Sequence, residues 1–183
     1  CDVADHDTKI VDGKAHLSVR EPTDAYADFV DALAACPDSG DALAGMTIAD
    51  AQWLTLWIEE ALETSPFTPG DPVGPALQEL FEQDLMPVAG DLIDRADAIL
   101  ADHRKLRFYI DPLPLIYDDG HLLLEMSGEW DVHDFANAKA YGRIWQGIGD
   151  LVLSFDLEWD QQLIDDNPAP AGADLTEVLQ EWD

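Results

Sequence analysis

The sequence predicts a mainly α fold, a helical bundle carrying one or two small β-hairpins. Apolar residues recur at three- and four-residue spacing along most of the chain, which is the signature of helices with one buried face. Two short β-capable runs each surround an Asp-Gly pair, the two-residue turn signal of a hairpin. A content of 47% hydrophobic residues in 183 is enough to build one core, and it separates this chain from disordered acidic tails.

Taken in order, Thr8 to Val19 reads as the first hairpin, turning at Asp12-Gly13. Tyr26, Phe29, Val30 and Leu33 then form one helical stripe, closed by Pro37 and Gly40. Thr47 and Asp50, three residues apart, resemble a capping box for a second helix through Leu54, Trp57, Ile58, Ala61 and Leu62. Ser65 to Pro75 is a Pro- and Gly-rich linker. Over 76–103, Leu80, Phe81, Leu85, Leu92, Ile93, Ala96 and Ile99 keep one face apolar, with Pro87 expected to kink the helix. Leu113 to Met126, turning at Asp119-Gly120, is the stronger hairpin.

Asp131 is the expected N-cap of a further helix over 131–155, marked by Tyr141, Ile144, Trp145, Ile148, Leu151, Val152 and Phe155. Gly142, Gly147 and Gly149 lower helix propensity there and point to close packing on a neighbour. Antiparallel pairing of 76–103 with 131–155 would form the spine of the bundle. The run Asn167 to Ala173 is a stiff linker, and Asp174 with Glu177 caps a terminal helix through Leu175, Val178, Leu179 and Trp182. Residues 1–166 are thus expected to form one helical domain with hairpins, and 167–183 a Pro/Ala linker with a C-terminal helix.

Charge is the strongest global signal. The chain carries 39 acidic against 9 basic residues, a formal charge of −30, with 28 Asp and only four Lys. Self-repulsion at this density is relieved by salt, divalent cations or a basic partner, so a solvated halophilic surface is the plainest reading. Nucleic-acid binding is disfavoured, because phosphate contacts need clustered Lys and Arg. No apolar run approaches the roughly 20 residues needed to cross a bilayer.

Catalytic signatures are missing: there is no Gly-x-Ser-x-Gly and no His-Glu-x-x-His. His6 and His133 each stand beside carboxylates, which chance accounts for in so acidic a chain. Asp156, Glu158 and Asp160 alternate like the opening ligands of a calcium loop, and the pattern then fails at Gln161 and Asn167. Calcium is therefore the one cofactor expected at all, with those three residues as weak metal candidates. Arg104, Lys105 and Arg107 follow His103 as the basic cluster, placed either to complement a helix C-terminus or to meet an acidic partner or headgroup. Of six tryptophans, Trp57 and Trp145 fall on apolar stripes, whereas Trp159 and Trp182 lie near helix ends as interface candidates.

Two cysteines remain, Cys1 and Cys36. A chain starting at cysteine resembles the mature end of bacterial lipoproteins, and that resemblance implies a lipid on Cys1 and a membrane-anchored protein outside the cytoplasm. The other reading joins Cys1 to Cys36 in a disulfide closing a loop of about 36 residues. Lipidation is the favoured expectation, and both readings are extracytoplasmic. The function expected is that of an exported, lipid-anchored acidic adaptor, a binding subunit of a cell-envelope or extracellular assembly with a protein partner. A calcium- or salt-dependent binding module and a secreted carboxylate-dependent hydrolase are the alternatives; binding is preferred to catalysis.

Overall fold

The computed structural model describes residues 1–64, 78–118 and 121–154. Helix α1 (Val3–Ser18) opens at Asp2, whose carboxylate accepts the Asp5 N–H at 3.2 Å. It closes in a Schellman turn: Glu21 N–H reaches the His16 carbonyl at 3.0 Å and Arg20 N–H the Leu17 carbonyl at 3.2 Å, with Arg20 in the left-handed region at φ 64°. Thr8 to Val19 is therefore helix and its C-cap, not the expected hairpin. The reason lies in tertiary packing. A Cβ at Gly13 would stand 2.7 Å from the Phe29 ring, so Gly13 is a contact point in mid-helix and not a turn residue.

Helix α2 (Pro22–Ala35) starts with proline, whose missing N–H is harmless at that position, and buries Ala25, Phe29 and Ala32. Helix α3 (Gly40–Thr64) starts seven residues before the expected cap. Ser39 is the cap, its hydroxyl accepting the Ala42 N–H at 3.1 Å, while Thr47 sits within the helix and donates to the Leu43 carbonyl at 2.8 Å. From Ala44 to Asp50 every residue of α3 is buried, because this half of the helix has neighbours on all sides.

The linker expected over Ser65 to Pro75 lies outside the described residues. Beyond it the backbone passes through one π-helical stretch, Phe81–Leu85, in which the Met86 N–H bonds the Phe81 carbonyl five residues back. That wider turn directly precedes Pro87, which has no N–H to donate and stands at the start of helix α4 (Met86–Asp102), where its missing bond is tolerated. Strands β1 (Phe108–Asp118) and β2 (His121–Trp130) form one antiparallel hairpin, longer than expected, with Phe108 opposite Trp130 and Asp118 opposite His121. The turn pair Asp119-Gly120 itself lies outside the described residues. Helix α5 (Val132–Ser154) has the expected cap. Asp131 Oδ1 accepts the His133 N–H at 2.7 Å, and Asp134 Oδ2 accepts the Asp131 N–H at 2.8 Å, a reciprocal box. The His133 N–H and the Arg107 guanidinium hold the Asp131 carboxyl below its usual range.

Helices α4 and α5 pair antiparallel: Gly142 abuts Leu92 and Ile93, Gly149 abuts Met86, and Lys139 reaches Asp97. Close approach thus explains Gly142 and Gly149, while Gly147 faces open space.

Two hydrophobic clusters result. The first gathers α1, α2, the front half of α3, the hairpin base and Phe135; the second gathers Leu54, Phe81, Leu85, Leu92 and Ala138, with Trp57 and Trp145 half-buried beside them. Phe29 anchors the first. Its ring lies against Gly13 of α1 and Gly45 of α3, where any Cβ would overlap it, and meets Phe108 of β1 edge-on with centroids 6.1 Å apart.

Truncating that ring by Phe29→Ala is expected to cost about 3–5 kcal/mol in urea denaturation. Gly45→Ala should cost about 1–3 kcal/mol in the native background and close to nothing once Phe29 is alanine, since the overlap has then gone. Equal costs of Gly45→Ala in both backgrounds would show that the glycine is not held by the ring.

Candidate binding groove

Polar side chains on α3 set the frame of the site. The Gln52 side chain is fully buried and its amide nitrogen donates to the Leu17 carbonyl at 3.0 Å and the Pro114 carbonyl at 2.8 Å, tying the end of α1 to β1. Asp50 pairs with Arg95 of α4, which also donates to the Tyr26 hydroxyl of α2 at 3.1 Å; burial lowers the Arg95 pKa from its usual value. Glu59 pairs with Arg20 and accepts the Tyr117 N–H at 2.9 Å, while the Arg20 guanidinium stacks 4.4 Å from the Tyr117 ring centroid. The hairpin is therefore pinned to α3 at Pro114 and Tyr117.

Pinned at that distance, the hairpin leaves a groove of about 570 Å³ between itself, α3 and α5. One wall is the α3 face of Ile48, Ala51, Thr55 and Ile58; the other is the α5 face of Asn137, Tyr141 and Trp145, spaced one turn apart, with Ala138 beside them. Leu113, Leu115, Ile116, Leu124, Met126 and Trp130 of the hairpin line it from the third side. It runs along the seam where the two hydrophobic clusters meet, since Ile48, Leu113 and Trp130 belong to one and Ala138, Tyr141 and Trp145 to the other. Beyond it β2 exposes Leu122, Leu123, Leu124 and Met126, and α5 exposes Ile144, Ile148 and Leu151. In a chain otherwise so acidic, this is a concentration of exposed aliphatic surface beside the groove.

Two carboxylates also line the groove, Glu59 and Asp134. Neither is free: Glu59 is held by Arg20 and the Tyr117 N–H, and Asp134 by the Asp131 N–H. Thr55 donates to the Ala51 carbonyl at 2.9 Å and lies 3.4 Å from the Tyr141 hydroxyl.

A second cavity of about 960 Å³ opens beside the cysteines, where Asp7, Asp38, Asp41 and Asp102 face His103, Arg104 and Lys105. Cys1 and Cys36 are joined there in a disulfide, Cα atoms 4.4 Å apart, linking the start of α1 to the end of α2. A sulfur in that bond carries no lipid thioether, so anchor and bridge exclude each other in one molecule. His6 is engaged by Asp7 at 2.9 Å and Ser39 at 2.7 Å. Of the basic cluster, Arg104 donates to the Leu100 carbonyl at the end of α4, and Arg107 pairs with Glu129 and Asp131 across the hairpin base. Lys105 is exposed. The cluster is thus dispersed over local partners.

Among the described residues no group of three or more His, Cys, Asp or Glu is placed to hold a metal ion. Asp156, Glu158 and Asp160, and the interface candidates Trp159 and Trp182, lie outside the described residues. The sequence reading missed the groove as a site because its residues come from α3, the hairpin and α5, far apart in the chain. The adjacent exposed leucines at 122–124, on a strand with no alternation, were the one local signal. Comparison with protein families, characterised proteins and solved structures finds no match.

Reducing the Cys1–Cys36 bridge, or replacing Cys36→Ser, is expected to lower the unfolding free energy by about 3–4 kcal/mol, measured in urea with and without reductant. Identical midpoints would mean that the α1–α2 pair holds together without the crosslink.

Proposed function

We propose that this protein is an exported binding module that holds an apolar ligand in the groove between α3, the hairpin and α5, acting as an accessory subunit and not as a catalyst. The groove carries the proposal. Its size falls within the roughly 300–1,000 Å³ of ligand pockets, and its lining follows their composition, hydrocarbon and aromatic surface with a few polar groups. The Cys1–Cys36 disulfide supports work outside the cytoplasm, where such bonds persist. The acidic surface supports a saline setting. A lipid at Cys1 would belong only to molecules in which that bridge does not form.

A carboxylate-dependent hydrolase fits less well. Such an enzyme needs one carboxyl free to give or take a proton, and both groove carboxylates are already bound by cations or backbone N–H groups.

The test uses diphenylhexatriene, a hydrocarbon that fluoresces when it leaves water. Saturable binding is expected, and the double variant Leu124→Glu with Met126→Glu should weaken it by at least about tenfold, because each change places a charge on the groove's apolar lining. Thermal stability should hold, since both side chains are already exposed. Absence of binding, or full affinity in the double variant, would overturn the groove as the functional site.

A further inference from the structure

The groove's polar groups define the kind of molecule it takes, provided the binding reading above holds. The hydroxyl of Thr55 gives its proton to the Ala51 carbonyl at 2.9 Å, so toward the groove it offers only lone pairs. With the Thr55 proton so engaged, the 3.4 Å contact with the Tyr141 hydroxyl has Tyr141 as its donor, the one such group beside Thr55 among the described residues, at a length well beyond the 2.7–2.8 Å that such bonds favour. Tyr141, half-buried on the groove wall, therefore keeps a donor that is poorly used. One turn earlier on the same face, Asn137 is exposed at the lip and its amide makes no hydrogen bond among the described residues.

While the Asn137 amide at the lip can either donate or accept, the head group that meets the Tyr141 O–H must offer an acceptor. It cannot readily be an anion, because Glu59 and Asp134 share the lining and the whole chain stands at −30. A quaternary cation is drawn by the field yet has no lone pair for Tyr141. We infer that the ligand is an uncharged amphiphile: a hydrocarbon body along the α3–hairpin seam, with a neutral ester, amide or hydroxyl group accepting from Tyr141 near the Asn137 lip.

Displacement of diphenylhexatriene by three molecules of similar alkyl length tests this: methyl laurate below its solubility limit, and laurate and dodecyltrimethylammonium below their micelle-forming concentrations, all at one fixed salt level. Methyl laurate is expected to bind at least about tenfold more tightly than either charged molecule. In Tyr141→Phe the ratio of ester affinity to hydrocarbon affinity should fall about fivefold, the worth of one hydrogen bond. Laurate or the ammonium binding as well as the ester, or an unchanged ratio in Tyr141→Phe, would overturn the ligand class while leaving the hydrocarbon groove intact. Failure of diphenylhexatriene itself to bind would overturn the binding reading and this one with it. The Lys105→Ala variant, remote from the groove lining, serves as the control whose affinities stay at the native values.

Discussion

The wedge of Phe29 between Gly13 and Gly45 is the contact on which the arrangement of the front half depends. Only glycine lets the backbones of α1 and α3 come close enough to clamp an aromatic ring on both sides. Once clamped, the ring presents its edge to Phe108, and that contact positions the first residue of β1. One side chain of α2 thereby orders three other elements. The same closeness explains why small residues, Ala25, Ala32, Ala42, Ala44 and Ala49, fill the surrounding core.

Helix α3 carries the arrangement to the rest of the molecule, and does so with polar groups. Gln52, Asp50 and Glu59 each reach a different neighbour: backbone of α1 and β1, Arg95 of α4, and Arg20 with Tyr117. Apolar contacts would tolerate a slide of one element along another; a buried amide bonded to two carbonyls does not. Two of the nine cations, Arg20 and Arg95, stand at these junctions, each paired with a carboxylate of α3, and removing one partner would leave the other charge half-buried and uncompensated.

The groove follows from that framework. The two clusters are joined along α3, and the hairpin is pinned to its side at Pro114 and Tyr117, so the seam between them stays open. What lines it is partly core, Ile48, Leu113 and Trp130, and partly exposed strand, Leu124 and Met126. A ligand there would complete the burial of surface that folding alone leaves wet.

The helical class, the antiparallel hairpin and the Asp131 cap were legible in the sequence because each is set by local spacing or by a turn or capping chemistry that acts within a few residues. The Asp12-Gly13 pair misled for the same reason: local chemistry favours a turn there, and the ring of Phe29, sixteen residues on, overrides it. The Thr47–Asp50 pair misled likewise, since burial of α3 on every side extends the helix back to Ser39. Acidic composition and mainly helical architecture were therefore within reach of the sequence alone, which at Cys1 could only pose two alternatives, a lipid or a bridge to Cys36, without deciding between them. The groove and the pairing of Cys1 with Cys36 were decided only by tertiary structure, because the distances that define them run between residues whose separation along the chain carries no information about their separation in space.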